Sequence, residues 1–189
     1  MEVNLDNWYK PKIDKKKLRE LSRRNDIKGL NHFFLYFLFL FLFGYLAYTT
    51  WGSWWSIIFF FIYGTIYSFS VSNWHETVHK TAFKTRWLNE IFYHISSFMC
   101  DFEGFRWRWS HTFHHTYTLQ TQEDYDHEIQ ISRPTELFCF FLNYIPFSDL
   151  LFPHRLIKYE IFKHSLGILT PVVKTSAPKN QKNKIIWNS

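Results

Sequence analysis

Between Lys28 and Glu76 the chain contains no Asp, Glu, Lys or Arg. Two apolar runs fill that stretch, Phe33 to Tyr48, broken by Gly44, and Trp54 to Ser72, separated by the uncharged turn Thr49-Thr50-Trp51-Gly52-Ser53. Each offers roughly 17 to 20 apolar positions, enough for a helix to cross the ~30 Å hydrocarbon layer of a bilayer. A backbone in lipid must satisfy its own polar groups, so the pattern predicts two transmembrane helices joined as a hairpin. Trp51, Trp54 and Trp55 gather at the turn, and amphipathic indoles favour the headgroup zone, which places that turn at the far interface. Beyond Glu76 the pattern is mixed. The apolar patch Ile91 to Met99 is too short to span. Thr116 to Glu128 reads as a polar loop, and Glu136 to Phe152, interrupted by Asn143, Pro146 and Asp149, as an interfacial helix. Lys174 to Ser189, rich in Lys and Asn, reads as a poorly ordered tail. The expected fold class is an all-α membrane protein: a basic arm (1–29), one transmembrane helical hairpin (30–74), a cytosolic or interfacial helical cap (75–171) and a polar tail (172–189).

Charge gives this plan a direction. The chain has 189 residues and a formal net charge of +6, and its mean hydropathy of −0.24 averages an uncharged stretch with densely charged flanks. Nine Lys or Arg against five acids precede the first run, in residues 1 to 28. Basic residues beside a span are retained on the cytoplasmic side, so the N-terminus is expected there, and a hairpin returns His75 to the same side. The basic arm is read with the membrane, and no nucleic-acid partner is expected. The first run lacks a small-residue cleavage site, which fits a span rather than a cleaved signal peptide. Cys100 and Cys139 form no CxxC pair and no disulfide framework. Arg106-Trp107-Arg108-Trp109 reads as an interfacial anchor, with indoles in lipid and guanidinium groups on phosphates.

Histidine carries the candidate chemistry. His75-Glu76-Thr77-Val78-His79 and His111-Thr112-Phe113-His114-His115 each place imidazoles three or four residues apart, which a helix stacks on one side. Imidazole is a neutral nitrogen donor suited to iron, zinc or copper, so five such groups within about 40 residues predict a metal centre. The first cluster alone also reads as H-E-x-x-H, the zinc protease pattern, with Glu76 as general base. That reading leaves His111, His114 and His115 unexplained.

Taken together, HxxxH followed some 30 residues later by HxxHH, just beyond a membrane hairpin, resembles the integral-membrane fatty acid desaturase and hydroxylase superfamily. The likeness extends to Trp74-His75-Glu76, Thr81 through Asn89, Trp107 through Thr112, His164-Ser165-Leu166-Gly167 and Leu169-Thr170-Pro171, which look like the bacterial fatty acid desaturase branch; it covers about residues 30 to 171. The resemblance implies that His75, His79, His111, His114 and His115 ligate a non-haem di-iron centre, that O2 is activated there, and that a C–H bond of a fatty acyl lipid is oxidised. It also implies an electron donor of ferredoxin-like or cytochrome type. Breaking an unactivated C–H bond is beyond side-chain acids and bases, which is why a redox metal is needed.

Within that resemblance Asp126-His127-Glu128 stands where the family has Asp-Pro-Glu, and Asp126 is a candidate acceptor orienting a ligand imidazole. His32, His94, His127 and His154 lie outside the clusters and are not expected to be ligands, and His164 has no assigned role. The family's third histidine box is absent: after His115 only His127, His154 and His164 remain, none spaced as HxxHH. The expectation is therefore a truncated or split desaturase, active with a second chain that supplies the third box, or a non-catalytic remnant; lipid hydroxylation is the alternative within the superfamily.

Overall fold

The computed structural model describes residues 12–118, 141, 145 and 157–189. Among them all regular structure is helical: α1 (Lys15–Leu21), α2 (Asp26–Thr49), α3 (Trp54–Ser68), α4 (Ser70–Val78), α5 (Arg86–Met99), α6 (Gly104–Thr116), α7 (Ile157–Ser165), α8 (Pro171–Ser176), a 3₁₀ turn (Lys179–Gln181) and α9 (Lys182–Asn188). Thr116 onward to Glu128, Glu136 to Phe152 and Asp126 lie wholly or largely outside the described residues.

The hairpin is built as its hydrophobic pattern requires. Asn25 caps α2 by accepting from the Lys28 amide at 3.2 Å. The helix then runs 24 residues, about 36 Å at 1.5 Å per residue. Its inward positions are Gly29, Phe33, Tyr36, Leu40 and Ala47. The opposite sides remain apolar and open, with Phe41 72 % and Phe61 of α3 76 % exposed. Helices apolar all round and this open to their surroundings are suited to lipid rather than water. Both α2 and the α3–α4 rod, Trp54–Val78, are long and apolar enough to cross a membrane. Gly44 lets Tyr63 approach, and Trp51, Trp54 and Trp55 are exposed around the positive-φ turn residue Gly52.

The second run continues further than the apolar pattern implies. After a single 3₁₀-type turn at Phe69, whose amide bonds to Ile66 O at 3.1 Å, the helix goes on as α4 and carries His75 with it. It stops in a Schellman motif, with Lys80 N on Thr77 O and Thr81 N on Glu76 O, both 3.0 Å, and Lys80 at φ 58°. The α5 helix stops in the same way, at Asp101 (φ 58°), and α7 at Gly167 (φ 79°). These stops reverse the chain sharply, so α5 descends beside α4 and α6 climbs back.

Three packed groups hold the helices. Phe33, Phe83 and Phe92 stack with centroids 4.2 to 5.5 Å apart and tie α5 to the start of α2. Trp74, Tyr93 and Trp107 join α4, α5 and α6. Val173, Ala177 and Ile185 pack with Phe105, Trp109 and Leu169 under α6. Residues 171–188 are thus not the poorly ordered tail that their Lys and Asn content suggests. Buried Val173 and Ile185 anchor two short helices.

The anchor reading of Arg106 to Trp109 is also corrected. Arg106 is 2 % exposed and Trp107 7 %, so both face the protein interior. The Arg106 Nη2 and Nε atoms donate to Glu160 Oε2 at 2.8 and 3.1 Å. Its guanidinium also lies 4.4 Å from the Trp107 ring centroid. Arg108 turns to Glu90 at 2.7 Å and sits over Tyr93. On a helix, residues two apart do not share a side, and Arg106 finds a charge partner 54 positions away.

A Cβ on Gly29 would lie 2.6 Å from Ala82 O and from the Phe83 ring, whereas one on Gly64 meets nothing within 4 Å. Gly29→Ala is expected to cost about 1–3 kcal/mol, because a backbone carbonyl cannot yield. Gly64→Ala is expected to be neutral or to stabilise by up to about 1 kcal/mol. Thermal unfolding of both variants in detergent, followed by circular dichroism, checks the contrast.

Candidate metal centre

Four of the five predicted histidines converge. His75 and His79, one turn apart at the end of α4, meet His111 and His115, one turn apart on α6, and one ring nitrogen of each lies within 4.8 Å of the others. The pairs are in register, with His75 to His111 centroids 4.9 Å apart and His79 to His115 4.7 Å. Trp74 sets this register. Buried between α4 and α6, its ring meets Trp107 at 6.3 Å and His111 at 5.1 Å, both edge-on.

The Nε2 atoms of His79, His111 and His115 form a triangle with all three sides 3.1 Å. A neutral imidazole has one N–H and one lone pair, so three rings aimed at one point cannot be matched by mutual hydrogen bonds alone. Nitrogens sharing one metal ion at ~2.0–2.1 Å stand roughly 3.0 to 3.4 Å apart, depending on the ligand angle, so the triangle fits a metal. His79 is also kept in the ligating form. Desolvation, then the neighbouring imidazoles of His111, His75 and His115, push its pKa down to about 4. The centre's other side is firm: His111 is 5 % exposed, and Glu103 caps α6 by accepting from the Phe105 amide at 3.1 Å and from the Arg106 amide.

The remaining candidates are placed elsewhere. His114 lies beside the cluster, its ring 5.8 Å from His111 and 5.5 Å from His115, and is not among the four converging donors. Glu76, the base of the protease reading, is exposed and accepts from Thr81 Oγ1 at 2.6 Å. It serves the helix stop rather than the cluster. His32 bonds Asn73 Oδ1 at 2.8 Å, and His94 lies exposed beside Phe105. His127, His154 and Asp126 lie outside the described residues.

His164 proves to be structural. Fully buried, its Nε2 is 3.0 Å from Thr170 Oγ1, which donates to Glu160 Oε1 at 2.5 Å, while Arg106 holds the other Glu160 oxygen. This chain ties α7 to the helix carrying the second histidine pair. No local pattern reveals it, although Glu160, His164 and Thr170 are spaced so that α7 and the following turn bring them together.

The family model for fatty acid desaturases matches residues 52–188, well over half of the chain. The chain belongs to the fatty acid desaturase family. No curated protein and no solved structure matches it. The match takes in both converging histidine pairs and α7 to α9, including the residues 172–188 that sequence reading set apart as a tail. Family membership supports an oxidoreductase function of desaturase or hydroxylase type in a membrane setting, on lipid.

Burial would raise the Glu160 pKa, but the Arg106 guanidinium, the Thr170 hydroxyl and His164 outweigh it and hold the carboxyl below its ordinary value. The stability this contributes is complete above the unfolded Glu value of about 4.3 and is lost as pH falls through the lower folded value. The Tm advantage over Glu160→Gln should therefore be level near neutrality and shrink in acid. Arg106→Met, which leaves the carboxylate buried and unpaired, is expected to cost about 3–5 kcal/mol at pH 7.

Proposed function

We propose that the chain is the metal-holding part of an O2-dependent fatty acid desaturase, with His75, His79, His111 and His115 as ligands of one non-haem iron. The observation that carries this is the 3.1 Å triangle of Nε2 atoms drawn from both histidine boxes, set at the end of a membrane-length helix. Both N-terminus and boxes are assigned to the cytoplasmic side from the nine basic residues among residues 1 to 28, ahead of the first apolar run.

When bound, the metal supplies the one-electron and O2 chemistry that side chains lack. The balance of the reaction is one CH2–CH2 unit, O2, two electrons and two protons giving CH=CH and two waters. The chain's own residues hold and orient. Trp74 and Trp107 fix the spacing of the two ligand helices, Glu103 starts α6, and the Arg106–Glu160 pair anchors α6 from below. The electrons come from a separate ferredoxin-like or cytochrome-type donor. Hydroxylation, which leaves one oxygen on the acyl chain, is the second outcome open to the same site.

The four donors suffice for one metal. A second iron needs more, and His164, whose Nε2 is engaged with Thr170, lies outside the converging group. We assign His114 to that second position, completed by donors outside the described residues or by histidines of a second chain. The H-E-x-x-H protease reading is disfavoured by the Glu76–Thr81 bond and by the use of His111 and His115.

Protein purified in detergent without air and supplied with Fe(II) is expected to bind iron. His79→Ala and His111→Ala should each weaken binding by more than about 100-fold, beyond the loss usual for a group that only orients a ligand. His114→Ala should keep the first iron. Stoichiometric zinc that survives His111→Ala would establish the protease instead. In phospholipid vesicles with O2 and a reduced donor, mass spectrometry of the acyl chains separates desaturation, a loss of two hydrogens, from hydroxylation, a gain of one oxygen. Two irons per chain and product from the chain alone would overturn the shared centre.

A further inference from the structure

The α5 helix is built inside out. Its buried side carries Asn89, Tyr93, Ser96 and Ser97. Its open side carries Trp87, Ile91, Ile95 and Phe98, exposed by 61, 48, 38 and 87 %. At about 100° per residue these four fall within roughly 80° of one side. A helix in water hides such a stripe, whereas polar groups inward and apolar groups outward is the arrangement of a helix in lipid.

Hydrogen bonds to the hairpin give the helix its height. At its upper end, Thr85 N and Oγ1 each bond the Asp26 carboxylate at 2.8 Å, at the very start of α2. At its lower end, Tyr67 OH bonds Met99 O at 2.7 Å, Tyr36 OH reaches Met99 Sδ, and Cys100 Sγ reaches Ser70 Oγ at 3.4 Å. Ser70 and Tyr67 precede His75 by five and eight residues on the α3–α4 rod, so the lower end of α5 sits on the order of 10 Å below the histidine level. The side of α5 away from the stripe packs on the inward side of α2, where Phe92 stacks on Phe33 at 4.2 Å and Met99 meets Tyr36, so the stripe itself turns away from the hairpin. Lys84 and Arg86 flank the upper end beside Trp87, suited to headgroups. Exposed His94 lies at the stripe's edge against Phe105. Asp101, in the turn below Phe98, bounds the depth, since a carboxylate near the midplane costs several kcal/mol.

We infer that α5 is a third membrane-contacting element, lying obliquely in the leaflet on the histidine side with Trp87, Ile91, Ile95 and Phe98 against phospholipid acyl chains. This rests on the membrane reading of α2 and α3. The ligand helix α6 is then the rising arm of a shallow dip, and the metal cluster stands directly over lipid.

Single nitroxides at positions 87, 91, 95 and 98, with position 41 as the hairpin reference, test this in a Cys100→Ser/Cys139→Ser chain. The protein is reconstituted in phosphatidylcholine–phosphatidylglycerol vesicles. The expected result is a several-fold excess of O2 over nickel-chelate collisions at 91, 95 and 98, rising from 87 to 98 and highest at 41. Nickel access at 91, 95 and 98 with a lipid signature at 41 overturns the inference and leaves the hairpin standing. Inaccessibility to both reagents also overturns it, in favour of a second copy or another segment of the chain as the cover. Nickel access at 41 overturns the membrane reading together with it.

Discussion

Everything in this fold answers to one requirement, that imidazoles from two separate helices reach a common point. A pair at i and i+4 is cheap, because any regular helix makes it. Bringing two pairs together is not, because α4 and α6 must run side by side with a register error below about one residue. Trp74 meets that requirement. It is buried, touches Trp107 and His111 edge-on, and sits one position before His75. Its indole is a rigid spacer whose displacement would move His75 and His111 together.

The constraint reaches further than the ligands. For α6 to hold its place it needs a fixed start and a fixed underside. The start is Glu103, buried at 5 % exposure and bonded to two backbone amides. The underside is Arg106, whose burial is tolerable only because Glu160 arrives from α7 with its own second partner in Thr170. A buried ion pair contributes little net stability but is costly to half-remove, which makes it a device for position more than for strength.

The parts of this arrangement that follow from local pattern were legible in the sequence. The hairpin follows from the charge-free stretch, and each histidine pair from helical spacing. Convergence of the two boxes was suggested by five imidazoles within about 40 residues and made specific by family resemblance, since spacing within each box says nothing of the distance between them. His114 shows the limit of counting: grouped with its neighbours by sequence, it is turned about 100° from His115 around the helix and so faces a different direction. Arg106 was misread for a related reason. Beside tryptophans and near a membrane it has the composition of an anchor, and nothing local reveals a carboxylate 54 residues later. The tail was misread from its lysines and asparagines, although two apolar side chains, Val173 and Ile185, were enough to dock it under α6.

Polarity between α4 and α5 bears on how the site is held. Small polar residues line the seam between α4 and α5: Ser70, Asn73 and Thr77 on one helix, and Asn89, Ser96 and Ser97 on the other, all buried. In water such a seam would be a weak core. Beside lipid it has a different logic, because small side chains allow close backbone approach and the surrounding hydrocarbon offers no competing hydrogen bonds. Thr77 returns its hydroxyl to Asn73 O at 2.7 Å, and the Asn89 amide nitrogen bonds Phe83 O at 2.9 Å, so these two groups are satisfied within the seam, whereas the buried Asn73 Nδ2 and Ser97 Oγ make no hydrogen bond among the described residues. The helices that carry His75 and His79 and support His111 and His115 are therefore held by contacts suited to an apolar surrounding.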